Sequence, residues 1–132
     1  MIVVDTTVIA HLLLDGDYVK EAKRLLTKEA EWAAPRLWRS EFRNVLTKYY
    51  RHQRLDENSV VAMMEAASAR LSGREFDPSS DQVFDCVFRS NLSAYDAEFV
   101  ALAMDLKTYL ITADRQIVRE FPDTAIELRD IT

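Results

Sequence analysis

Four side chains, Asp5, Glu41, Asp96 and Asp114, stand where an acid invites a chemical explanation. Asp5 closes the β-branched run Ile-Val-Val at 2–4, and Asp114 lies just beyond the apolar run 109–111. Each also precedes a helix-like segment, so each alone reads equally as a helix cap. Glu41 is more informative. On a helix turning 100° per residue, Trp38, Phe42, Val45 and Tyr49 form an apolar stripe, and Glu41 falls on its border with Asn44 and Lys48. A carboxylate held against a core is costly unless something pairs with it. Lys48 or another base is one such partner, and a metal ion is the sharper alternative. Asp96 lies in Ser93-Ala94-Tyr95-Asp96, which has the form of a capping box with Asp in place of Glu or Gln. Glu98, two residues further on, is expected to point to another side of its helix.

Four acids sharing one crevice would repel each other. Two unit charges about 5 Å apart cost roughly 3 kcal/mol at an effective dielectric near 20. A divalent cation removes that repulsion, and an all-oxygen ligand set suits Mg²⁺ or Mn²⁺. Zinc is disfavoured, because His11 and His52 are far apart in sequence and no cysteine cluster accompanies them. Both histidines read as ordinary surface or core-edge residues.

The elements that must position these acids alternate along the chain. Strands are expected at 2–4, 32–34, 74–76 (weakly), 109–111 and 125–128. Helices are expected at 7–14, 17–31 with Asp17 as N-cap, 36–53, 56–71, 79–89, 95–106 and 115–120. Such alternation argues for a parallel sheet covered by helices on both faces. Ligand chemistry in these sheets gathers beyond the carboxyl ends of the strands, which is where Asp5 and Asp114 fall.

The composition narrows the function classes. A length of 132 residues suits a single domain over 1–132, and 48% apolar with 30% charged residues is a globular balance. No stretch approaches the roughly 18 apolar residues of a membrane span. The opening MIVVDTTVIAHLLL has no basic leader and carries an acid, so it reads as a structural element and not a signal peptide. The one cysteine, Cys86, has no internal partner and reads as a buried apolar residue in a cytoplasmic protein. The formal charge of −5 weighs against generic nucleic-acid binding. The four candidate acids carry all but one unit of it, however. The segment 35–55 is basic, with Arg36, Arg39 and Arg43 on one helix face. That stripe could follow a phosphate backbone, or simply be a solvated surface. Tyr49, Tyr50, Trp38 and the Met63-Met64 pair have core-like spacing.

Four segments together resemble the PIN-domain family, and most closely its VapC-type toxins of bacterial toxin–antitoxin pairs. VVDTTVIAHLL resembles the family's opening strand, acid and helix; RSEFRNVL its second acidic segment; SAYDAEFVALAM its third; and LITADRQI its fourth. They occur in the family's order and span nearly the whole chain. The resemblance implies a three-layer α/β/α sandwich around a parallel sheet of about five strands. It assigns Asp5, Glu41, Asp96 and Asp114 as the metal-binding and catalytic set, with Thr7 and Thr112 as supporting hydroxyls; Asn44 is added as support from its place beside Glu41. It implies one or two Mg²⁺ or Mn²⁺ ions that acidify water for in-line attack on an RNA phosphodiester. A VapB-type antitoxin and a second copy of the chain are the implied protein partners. Glu98 departs from the pattern, since the family's position there is small or variable. Two rivals are a stand-alone PIN nuclease in RNA processing or DNA cleavage, and a catalytically silent module keeping the fold. A phosphorylated receiver domain is disfavoured, since it needs a pair of adjacent early acids and an acceptor after the third strand.

Overall fold

The computed structural model describes residues 1–131; Thr132, the last residue of the expected domain, lies outside the described residues. Its centre is a sheet of five parallel strands: β1 (Ile2–Val4), β2 (Trp32–Pro35), β3 (Glu75–Phe76), β4 (Leu110–Thr112) and β5 (Ala125–Glu127). The order is β3-β2-β1-β4-β5. Pairing of Val3 with both Ala33 and Leu110 sets the register of the three central strands. Val3, Val4, Ala33, Ala34, Leu110 and Ile111 are all buried, as expected of strands covered on both faces.

Seven α-helices fill the connections among the described residues. They are α1 (Thr6–Leu13), α2 (Val19–Lys28), α3 (Trp38–Arg51), α4 (Glu57–Arg70), α5 (Ser80–Phe88), α6 (Ala94–Asp105) and α7 (Arg115–Glu120). Helix α1 packs against α2, α3 and α4, whereas α5 packs against α6, and α6 lies on β1, β2 and β4. The sheet therefore sits between two helical layers, the α/β/α sandwich expected from the alternation. Helix α6 approaches the strands closely because Ala97, Ala101 and Ala103 are small and buried beside Phe99, Val100 and Leu102.

The expected elements are all present, with local differences. Helix α2 begins at Val19 with Tyr18 as an N-cap residue that makes no side-chain cap bond, so Asp17 is not the cap. Tyr18 instead packs edge-on against His11. Helix α3 begins at Trp38 and not at Arg36, because the Arg36 N–H still donates to the Phe76 carbonyl and extends the β2–β3 ladder. No helix among the described residues is long and apolar enough to cross a membrane.

The strand order sets the location of the site. From β1 the chain winds outward through β2 to β3, then returns across the sheet to β4 on the other flank of β1. That reversal opens a crevice at the carboxyl ends of β1 and β4. Asp5 and Asp114 follow those two strands.

Candidate active site

Asp5 is the first residue beyond β1 and the N-cap of α1. Its Oδ1 accepts from the backbone N–H groups of Thr7 at 3.0 Å and Val8 at 3.4 Å. The Thr7 hydroxyl also donates to Oδ1, and the Thr112 hydroxyl donates to Oδ2. These two hydroxyls join the ends of β1 and β4, since Thr7 Oγ1 accepts from Ala113 N at 3.1 Å and Thr112 Oγ1 from Asp114 N at 2.9 Å. Asp5 is 5% exposed. Burial raises its pKa from 3.8 to about 6 despite these hydrogen bonds, which pull it the other way.

Asp114 caps α7, with Oδ1 accepting from Gln116 N at 2.9 Å. Capping and a place at the crevice thus coexist in both aspartates: each cap engages one oxygen, and the second oxygen of Asp5 is held by Thr112. Ser93 caps α6 by accepting from Asp96 N at 3.1 Å. The Asp96 carboxylate takes no part in that cap and accepts no hydrogen bond among the described residues. Burial, and then the charge of Asp114, raise its pKa. Glu41 lies on the first turns of α3, where the Thr6 hydroxyl donates to Oε1 at 2.6 Å. Burial raises the Glu41 pKa most, and the charges of Asp96 and Glu98 add to it. Among the described residues none of these four acids forms a salt bridge, so Lys48 does not neutralise Glu41.

The four acids line one open cleft of about 390 Å³. Thr7 and Asn44 line it too, whereas Thr112 is fully buried behind Asp5. Glu98 is not among the lining residues, but it is near enough to Glu41 to repel it, and burial and then the charge of Asp77 raise its own pKa. Arg39 and Arg43 lie about 160° round α3 from Glu41 and so face away from the cleft. Arg39 is committed elsewhere: Nε and Nη2 each donate to the Glu75 carboxylate at 2.6 Å, tying α3 to β3. Arg36 pairs with Asp77 at 3.5 Å on the surface.

Four oxygen-donor acids, three of them (Asp5, Glu41 and Asp96) raised in pKa chiefly by burial and none of the four in a salt bridge among the described residues, form a donor set for a hard divalent cation. Among the described residues no three acidic, imidazole or thiol side chains converge into a ready metal cage. Mg²⁺ does not require one, since it commonly keeps several waters and takes only one or two carboxylates directly. The residues present fit such an ion.

The sequence matches the PIN domain family over residues 2–123. This chain belongs to that family. Ribonuclease VapC3 of Pyrobaculum aerophilum is similar to this PIN domain, at 28% identity over 124 residues, covering 92% of this chain and 95% of the relative. Two solved structures share the fold. FitAcB from Neisseria gonorrhoeae superposes with a TM-score of 0.76 at 16% identity, over 98% of this chain and 99% of that one. A toxin–antitoxin complex from Klebsiella pneumoniae superposes with a TM-score of 0.70 at 20% identity, over 97% and 98%.

Sequence reasoning missed five residues that line the cleft of this PIN domain: Thr6, Ala10, His11, Val45 and Phe99. Helical period offered a signal for His11, which is one turn beyond Thr7 on α1. Nothing comparable marked Thr6, whose role depends on the packing of α1 against α3.

Proposed function

We propose that this PIN domain is a Mg²⁺- or Mn²⁺-dependent endoribonuclease that hydrolyses RNA phosphodiester bonds as the cytoplasmic toxin of a toxin–antitoxin pair. The cleft at the β1/β4 crevice, lined by four acids and no lysine or arginine among the described residues, carries this reading; the VapC-type relative supports RNA as substrate. Asp5, Asp96 and Asp114, with Glu41, would hold the metal. When bound, the ion supplies acidified water and offsets negative charge on the phosphate. The chain's own contribution is to hold the acids in place. Thr7 and Thr112 fix Asp5 through both of its oxygens, Thr6 fixes Glu41, and the helix caps fix the approach of Asp114 and Asp96.

The likeness to a toxin–antitoxin complex supports an antitoxin partner. So does a surface groove between α3 and α4, lined by Leu46, Val60, Val61 and Met64 and bordered by Arg43 and Glu65, which suits an apolar segment. A homodimer is supported by α5, where Phe84 and Phe88 stack at 6.1 Å while 53% and 81% exposed. A silent PIN-fold module is the second reading, favoured by the lack of a ready three-ligand cage among the described residues.

The deciding experiment incubates purified protein with total cellular RNA in Mg²⁺, Mn²⁺ or EDTA, beside Asp5→Asn, Asp96→Asn, Asp114→Asn and Glu98→Gln. Fragments should appear only with metal, vanish in the three aspartate variants, and persist in Glu98→Gln. Calorimetric metal binding without cleavage would instead establish the silent module.

A further inference from the structure

His11 is the one histidine in the cleft, and the nuclease reading leaves it without a task. It lies on α1 one turn after Thr7, which places it about 6 Å further along the helix axis, clear of the acids but on the same wall. Its ring is held rather than loose. Tyr18 packs edge-on at a centroid distance of 5.2 Å, and a Cβ at position 16 would lie 3.0 Å from His11 Nδ1, so Gly16 lets the imidazole sit close against the turn. Yet neither ring nitrogen makes a hydrogen bond to protein among the described residues. Burial pushes its pKa down, against the charges of Asp17 and Glu21, which favours a neutral ring still carrying one N–H.

Donors are scarce in this cleft. The Thr6 and Thr7 hydroxyls donate to Glu41 and Asp5, and the carboxylates repel phosphate. The imidazole of His11 and the amide of Asn44 are the nitrogen-bearing side chains that line it. A bound RNA strand carries further phosphates beside the one being cleaved, and each needs a donor once it leaves water.

We propose that His11 contacts the substrate, donating a hydrogen bond to a phosphate oxygen of the nucleotide next to the scissile bond. This rests on the nuclease reading and adds to it a residue that sets strand position. The contact is to the backbone, so it does not select the base.

The test uses long-range ¹H–¹⁵N spectra of the two imidazoles. His52, the C-cap residue of α3, is exposed and absent from the cleft lining, and serves as the internal reference. A single-stranded hexaribonucleotide is added to the whole protein with Ca²⁺ in place of Mg²⁺. His11 signals should shift while those of His52 stay, and an abasic strand of the same length should reproduce the shift. In cleavage assays, His11→Ala should raise KM roughly tenfold with kcat within about threefold, and His11→Gln, which retains an N–H, should recover most of the loss. The proposal is overturned if amides near Asp96 and Asp114 shift and His11 does not, a result that leaves the nuclease reading intact. Loss of the His11 shift with the abasic strand would also overturn it, making the base the partner. If no signal moves and no RNA is cut, the nuclease reading fails and takes this proposal with it.

Discussion

Asp5 shows how one residue can serve the site at the expense of the metal-free fold. Its pKa is raised from 3.8 to about 6, so the folded chain holds a proton there more tightly than the unfolded chain does. The associated stability is fully present below about pH 4 and is lost as pH rises through about 6. At neutral pH the metal-free protein therefore carries a buried charge costing on the order of 3 kcal/mol. Urea denaturation in EDTA should show stability falling between pH 5 and 7.5. Asp5→Asn should flatten that fall while abolishing cleavage, and Mg²⁺ should restore wild-type stability most at the higher pH, because the cation binds the deprotonated acid. An equally steep fall in Asp5→Asn would assign the effect to other groups. Asp5 and Asp114 were legible in the sequence because each follows a strand, Glu41 because it borders an apolar stripe, and Asp96 by its capping-box setting. His11 and Thr6 were not, because what they face depends on how α1 packs against its neighbours.

Among the elements, α3 separates two tasks by face. Glu41 and Asn44 turn toward the cleft, while Arg39 and Arg43 point away from it. Position along a helix is readable from sequence, and so was the grouping of the arginines. Which side lay against the cleft was not, because that depends on where α1 and α6 settle. The bidentate Arg39–Glu75 pair fastens α3 to β3, and its acid is nearly covered, with a side-chain exposure of 10%. The arginine is more than a third exposed, so solvent screening limits the pair to about 1 kcal/mol. Arg39→Ala should therefore lower the urea midpoint modestly and leave cleavage of a short RNA within about twofold. A large rise in KM with unchanged stability would return Arg39 to the RNA-binding surface. Cys86 is buried as expected, but its neighbours Phe84 and Phe88 stand outside. Tyr50, expected in the core, is also 44% exposed.

On the scale of the whole molecule, those outward aromatics argue for association through helices. Exposed phenylalanines stacked on one helix are a costly solvent surface unless a partner covers them. Sedimentation should show wild-type protein self-associating at micromolar concentration, and Phe88→Glu should shift it to monomer with metal-dependent cleavage per chain retained. Unchanged sedimentation of Phe88→Glu would remove α5 from the interface.

The two outer strands have a further consequence. β3 is two residues long and β5 three, and each carries a glutamate held by arginine: Glu75 by Arg39, Glu127 by Arg115 at 3.2 Å and Arg129 at 2.9 Å. A visiting strand would find few free backbone groups there and would have to displace charged side chains to reach them. Growth of this sheet from chain to chain into fibrils is thereby disfavoured at both ends.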